Sequence, residues 1–102
     1  MNAEIKALWL QALRSGDYQQ GTGRLRRADK FCCLGVLCDL YPNIEWNPPS
    51  YGHGNDINFL PEEVAHWAEV DTMPITSKGT LTTLNDRGAC FADLADLTEE
   101  EL

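Results

Sequence analysis

The chain has 102 residues, 43% of them apolar, which predicts a single domain over residues 1–102 whose core needs no obligatory disulfide or metal. The net charge of −8 excludes general nucleic-acid binding and attachment to anionic membranes, because both need clustered Lys and Arg. Residues 1–6 do not lead into the apolar run of a secretory signal, so we expect a cytoplasmic protein.

Charge is distributed unevenly along the sequence. Residues 1–30 hold six basic side chains against three acidic ones, whereas residues 31–102 hold two against thirteen. The simplest interpretation is that the two regions partly neutralise each other and leave a solvated acidic surface. The alternatives are a small anion site in the first region, or an acidic surface that meets a basic partner.

Apolar residues at helical spacing predict a first helix over residues 3–15. The stripe consists of Ile5, Leu8, Trp9, Ala12 and Leu13. Asn2 is a suitable N-cap and Gly16 a natural end for this helix. We expect this stripe to pack on the apolar segment at residues 31–41.

Residues 16–30 form a basic, glycine-containing loop, with a short strand or hairpin predicted around residues 23–31. Glycines can adopt positive φ and present backbone N–H groups, and arginine or lysine can add charge-assisted bonds to phosphate or carboxylate. The sequence therefore predicts a site for a small anion, nucleotides included. Its predicted residues are Tyr18, Gln20, Gly21, Gly23, Arg24, Arg26 and Arg27, with Lys30 nearby. The loop lacks the P-loop and dinucleotide patterns, so a structural hairpin with solvated arginines remains the alternative.

Residues 31–41 are the most apolar run and predict a buried central helix over residues 32–41, too short to cross a bilayer. Gly35 would let a neighbouring backbone approach this helix, at a cost of roughly 1 kcal/mol in helix propensity. The run holds three cysteines, Cys32, Cys33 and Cys38. In a reducing compartment such thiols usually act as small buried hydrophobic side chains.

The remaining chain predicts two strands, a long loop and three helices. Residues 44–46 and 57–59 alternate apolar and polar residues around a contact loop at 48–54. Helices are predicted over residues 61–69, 81–87 and 91–98, with a short extended piece at 73–76. Pro61 starts the first of these helices, Thr80 caps the second, and Gly88 ends it. The predicted fold class is α+β, with about five short helices around the buried central helix and a small, mainly antiparallel sheet or hairpin.

The cysteines raise two further possibilities. Thiols five or six residues apart on one helix point in different directions and cannot share a zinc ion, so we predict no metal site, and no motif implies a cofactor. Cys32 or Cys33 at a helix N-terminus would have a lowered thiol pKa, as in papain-like folds. A cysteine-dependent hydrolase would also need a general base, for which His53 is the candidate because His66 is expected to be exposed.

Motifs along nearly the whole chain resemble those of a family of small uncharacterised bacteriophage and prophage proteins. They are Trp9 with Ala12-Leu13-Arg14-Ser15-Gly16, Tyr18-x-Gln20-Gly21-x-Gly23-x-Leu25, Phe31-Cys32-Cys33-Leu34-Gly35-Val36-Leu37-Cys38, Leu60-Pro61, and Leu84-Asn85-Asp86-x-Gly88-x-x-Phe91. The family pattern has Ser before the Phe of the last helix, whereas this chain has Cys90, so the usual capping hydroxyl is missing. The resemblance implies an accessory protein of the host cytoplasm, including one that opposes host defence.

The residue patterns and the resemblance to phage proteins together favour a non-enzymatic protein that binds a host protein or a small anionic ligand. Two alternatives remain at this point. One is a cysteine-dependent hydrolase, and the other is an acidic DNA mimic whose carboxylates replace phosphates.

Overall fold

The computed structural model describes residues 1–46 and 59–102, which form five helices and two small sheets. The helices are α1 (Ala3–Ser15), α2 (Cys33–Leu40), α3 (Glu62–Ala68), α4 (Leu81–Asp86) and α5 (Phe91–Glu101). The strands are β1 (Gln19–Gln20), β2 (Arg26–Arg27), β3 (Lys30–Phe31), β4 (Ile75–Thr76) and β5 (Gly79–Thr80). This architecture confirms the predicted α+β class.

Helix α1 packs against α2 and α5 through the stripe that the sequence predicted. Trp9 is fully buried, and its indole N–H donates to the carbonyl oxygen of Cys33 at 2.9 Å. The predicted ends are confirmed, because Asn2 Oδ1 accepts from the N–H of Ile5 at 3.1 Å and Gly16 has a φ of 80°. Leu8 differs from the expectation because it remains exposed.

Helix α2 lies at the centre of the core, with all residues from 33 to 38 buried. A Cβ added to Gly35 would collide with the carbonyl oxygen of Leu25 and lie 2.7 Å from the carbonyl carbon of the same residue. The predicted close backbone approach is therefore confirmed, and its partner is the segment before β2. Phe31 ends β3 and Cys32 is the N-cap of α2, so the strand runs almost directly into the helix.

Strand β3 is the centre of a three-stranded sheet with the order β1-β3-β2. The hairpin predicted over residues 23–31 is confirmed, because β2 and β3 pair antiparallel. Strand β1 pairs parallel with β3, so this sheet is mixed. Strands β4 and β5 form a separate antiparallel pair that includes part of the predicted extended piece at 73–76.

The second half largely follows the sequence prediction. Thr80 Oγ1 accepts from the N–H of Thr83 at 3.3 Å and caps α4, as expected. Helix α5 continues to Glu101, three residues beyond its predicted end. Residues 44–46 are not a strand, which corrects that prediction. The loop at 48–54, with His53, and residues 57 and 58 lie outside the described residues. No helix within the two described ranges has the length and apolar character needed to span a bilayer.

Candidate functional site

A cavity of about 320 Å³ opens beside the three-stranded sheet, and we call it the basic pocket. It is lined by Gln20, Gly21, Thr22, Arg27 and Lys30. Arg27 and Lys30 are directly opposite each other in the β2–β3 pair, so both side chains lie on the same face of the sheet. Both are exposed, and neither forms an ion pair with a carboxylate within residues 1–46 and 59–102. The pocket therefore presents two cations to solvent.

The buried side chain of Asn85 fixes the inner wall of the basic pocket. Its Nδ2 donates to the carbonyl oxygen of Gly21 at 2.8 Å, and its Oδ1 accepts from Gln20 Nε2 at 2.9 Å and from the N–H of Cys33 at 3.2 Å. Gln20 Nε2 also donates to the carbonyl oxygen of Ala89 at 2.7 Å. One amide thus joins β1, the start of α2 and helix α4, so the backbone of the pocket is held in a fixed position.

The two glycines predicted as ligand residues, Gly21 and Gly23, do not present free N–H groups to a ligand. Gly21 donates its N–H to the carbonyl oxygen of Phe31 at 2.8 Å, and Gly23 donates to Asp86 Oδ1 at 3.0 Å. Gly23 has the expected positive φ, at 80°, but Gly21 does not. Both N–H groups are therefore hydrogen-bonded within the protein. An anion in the pocket would depend on Arg27 and Lys30 instead.

The other face of the hairpin carries an aromatic cluster of Tyr18, Phe31 and Trp46. Arg26 lies over it, with its guanidinium carbon 5.0 Å from the ring centroid of Phe31 and 5.5 Å from that of Trp46. Because adjacent strand residues point to opposite faces, Arg26 and Arg27 cannot serve the same ligand from this strand. Tyr18 belongs to this cluster and Arg26 lies over it, and neither of these two predicted ligand residues lines the basic pocket.

Asp39 anchors the aromatic cluster to α2. Its Oδ2 accepts from the hydroxyl of Tyr18 at 2.7 Å, and its Oδ1 accepts from the indole N–H of Trp46 at 3.1 Å. Burial, together with the hydrogen bond to Asp39, raises the pKa of Tyr18 to about 12. No role was predicted for Asp39, although it is the one plainly polar residue of the apolar run and therefore signalled a polar contact within the fold.

Three of the seven predicted ligand residues line the basic pocket, namely Gln20, Gly21 and Arg27. Gly23 is a backbone contact of Asp86, and Arg24 is half-buried away from the pocket lining. Thr22 also lines the pocket, although it was not predicted to do so. Its position between the predicted ligand residues Gly21 and Gly23 could have indicated this.

Cys32 and Cys33 occupy the helix N-terminus that the sequence predicted, and Cys32 Sγ accepts from the N–H of Gly35 at 3.4 Å. These two residues are only 2% and 1% exposed, and Cys38 is also buried, which confirms the expected role as small buried hydrophobic residues. Burial raises the pKa of the Cys32 thiol to about 11 and that of Cys33 well above its usual value. Desolvation thus outweighs the helix dipole, which disfavours an activated thiolate.

The two histidines that could act as a general base do not provide one beside these thiols among the described residues. His66 is exposed, as predicted, and His53 lies outside the described residues. In the part of the chain that the structure describes, no three His, Cys, Asp or Glu side chains are grouped in a way that could hold a metal ion.

Comparison with curated proteins and with solved structures finds no significant match. A family profile matches the whole sequence, from residue 1 to residue 102. The chain therefore belongs to the family described as Domain of unknown function (DUF8296).

Proposed function

We propose that this protein is a non-enzymatic binding protein whose basic pocket captures a small anion with a phosphate or carboxylate group. The observation that carries the proposal is the cross-strand pair of Arg27 and Lys30 at the edge of a cavity of about 320 Å³. A guanidinium and an ammonium on one face supply several charge-assisted donors to a single anion. The cavity volume falls within the ~300–1,000 Å³ of small-molecule sites.

The charge of the whole chain supports a small ligand over a polymeric one. With a net charge of −8, the protein repels an extended polyanion, whereas a small anion meets mainly the local field of the pocket. Nucleotides are the proposed ligands of choice, because they combine small size with concentrated phosphate charge.

The proposed biological setting rests on the motif resemblance to bacteriophage and prophage proteins. In that setting the protein is an accessory factor of the host cytoplasm, and withdrawal of a nucleotide signal is one way to oppose host defence. A host protein is the other proposed class of partner.

Titration calorimetry with inorganic phosphate, pyrophosphate, AMP and ATP tests the pocket. We expect at least one of these anions to bind in a salt-sensitive manner, with affinity reduced at least about tenfold in Arg27→Gln/Lys30→Gln. Lys78→Gln/Arg87→Gln is the matched control, since it removes the same charge from two other exposed cations. Equal loss in both double variants, or no binding of any of the four anions, would overturn the proposal. The bound nucleotide should be recovered unchanged, and its hydrolysis would favour an enzyme.

A further inference from the structure

A second concave surface, of about 370 Å³, lies between α4, α5 and the turn that joins β4 to β5. Its apolar lining includes Leu84 and Ala89, which are half-buried, and Leu97 of α5. The turn is held against α5, because the carboxylate of Glu101 accepts from the N–H and the hydroxyl of Ser77, each at 2.7 Å. The concavity is therefore a fixed feature with an apolar floor, and we call it the acidic groove.

Three carboxylates of α5 form the edge of the acidic groove. Asp93, Asp96 and Glu100 are spaced by three and four residues, which places them on one face of the helix. Arg14 Nη2 contacts Asp96 Oδ1 at 2.8 Å and partly neutralises it. Asp93 and Glu100 have no cationic partner among the described residues. Lys78 also lines the groove, so one ammonium stands against three carboxylates.

We propose that the acidic groove docks a short basic segment of a partner protein, in which an apolar side chain is flanked by Lys or Arg. The apolar side chain would lie on Leu84 and Ala89, while the flanking cations would meet Asp93 and Glu100. Charge complementarity is the argument for this occupant, and it extends beyond the groove, since residues 31–102 hold thirteen acidic side chains against two basic ones.

The apolar floor distinguishes this surface from a DNA mimic. A mimic needs carboxylates on a polar surface and gains nothing from exposed apolar side chains. The groove instead has the arrangement of a peptide site, in which an apolar anchor supplies affinity and the charged rim supplies specificity. The proposal does not depend on the basic pocket, so Arg27→Gln/Lys30→Gln should leave docking intact.

Fluorescence anisotropy with two labelled synthetic peptides tests the proposal. One peptide alternates lysine with leucine, and the other has the same length and charge but alternates lysine with serine. We expect the leucine peptide to bind at least about tenfold more tightly than the serine peptide, and to lose at least about tenfold in affinity in Asp93→Asn/Glu100→Gln. Glu62→Gln/Asp71→Asn removes the same charge elsewhere on the surface and should bind as the wild type does.

Two other outcomes of the peptide experiment would contradict the proposal. Equal loss in both charge variants would mean attraction to the net charge alone, and equal affinity for both peptides would favour a DNA mimic. As an independent check, Ala89→Lys places an ammonium at the floor and should abolish binding of the leucine peptide while circular dichroism confirms an intact fold. Undiminished binding by this variant would also overturn the assignment.

Discussion

The carbonyl oxygen of Leu25 occupies the space in which a Cβ at position 35 would lie. The same oxygen accepts the N–H of Cys32 at 3.1 Å, so the segment before β2 is fixed against the first turn of α2. Both groups in this contact are backbone, and neither can move aside as a flexible side chain could. Glycine at position 35 is therefore a requirement of packing.

Gly35→Ala should destabilise the protein by about 3 kcal/mol or more, because the collision outweighs the ~1 kcal/mol that alanine gains in helix propensity. Urea unfolding measures the effect. Gly16→Ala is the control, since position 16 has a φ of 80° and open space around it, and should cost only about 1–2 kcal/mol. Equal losses in the two variants would contradict the packing argument.

Asn85→Ala should cost about 3 kcal/mol or more, because it leaves buried partners such as the carbonyl oxygen of Gly21 and the N–H of Cys33 unsatisfied. Asn85 is 0% exposed, so water cannot replace these bonds without a rearrangement. The exposed Asn43 provides the control, and Asn43→Ala should have an unfolding free energy within about 0.5 kcal/mol of the wild type. A small effect at position 85 would show that the amide network is not needed for stability.

Cys90→Ser should stabilise the protein by about 0.5–1 kcal/mol. Cys90 occupies the N-cap of α5 with extended backbone angles, but its side chain makes no capping hydrogen bond. A serine hydroxyl at this position accepts readily from an N–H of the first turn. The comparison with Cys90→Ala isolates the hydroxyl, and the prediction fails if the serine variant is no more stable than the alanine variant in urea.

Thiol labelling of the native protein should modify Cys90 alone among the four cysteines. Cys90 is exposed, whereas Cys32, Cys33 and Cys38 are buried. Peptide mapping by mass spectrometry after brief iodoacetamide treatment at neutral pH identifies the modified residues, and the same treatment in urea should label all four. Rapid native labelling of Cys32 or Cys33 would instead favour the cysteine-dependent hydrolase.

Stability should fall as the pH rises above about 9, because burial raises the pKa of Cys32 from 9.0 to about 11. The folded state holds this proton more tightly than the unfolded state, so the contribution is complete below pH 9 and is lost between pH 9 and about 11. Each such group contributes a slope of about 1.4 kcal/mol per pH unit within its window. The raised pKa values of Cys33 and Cys38 act in the same direction.

Urea titrations between pH 7 and pH 11 measure this slope. Cys32→Ala removes one titrating thiol and should show a shallower decline than the wild type, whatever its stability at pH 7. An unfolding free energy that stays constant over the range would contradict the raised thiol pKa values.

The helices were predictable because their signals are local. Trp9 and its stripe follow the period of one helix, and the caps at Asn2 and Thr80 act within one turn. The sheet was less predictable, since strands of two residues are too short for an alternating pattern to be detected. Whether an arginine faces the basic pocket or the aromatic cluster depends on register, which composition does not encode.

The candidate site could be predicted only in part, because only some of the signals that define it are local in the sequence. A basic, glycine-containing loop was visible in the sequence, and it does contribute Gln20, Gly21 and Arg27 to the basic pocket. The bonds that position this loop join residues more than 60 apart, as between Gln20 and Asn85. Such contacts have no local pattern, so the use of the glycine N–H groups within the fold could not be anticipated.

The three-way attachment of Asn85 links occupancy of the basic pocket to the folding of the whole chain. β1, the start of α2 and helix α4 share one amide, so a local opening that releases the pocket wall also disrupts the core. We therefore expect the pocket to unfold together with the rest of the fold. Any ligand held there raises the global unfolding temperature, in proportion to the logarithm of its concentration relative to its dissociation constant.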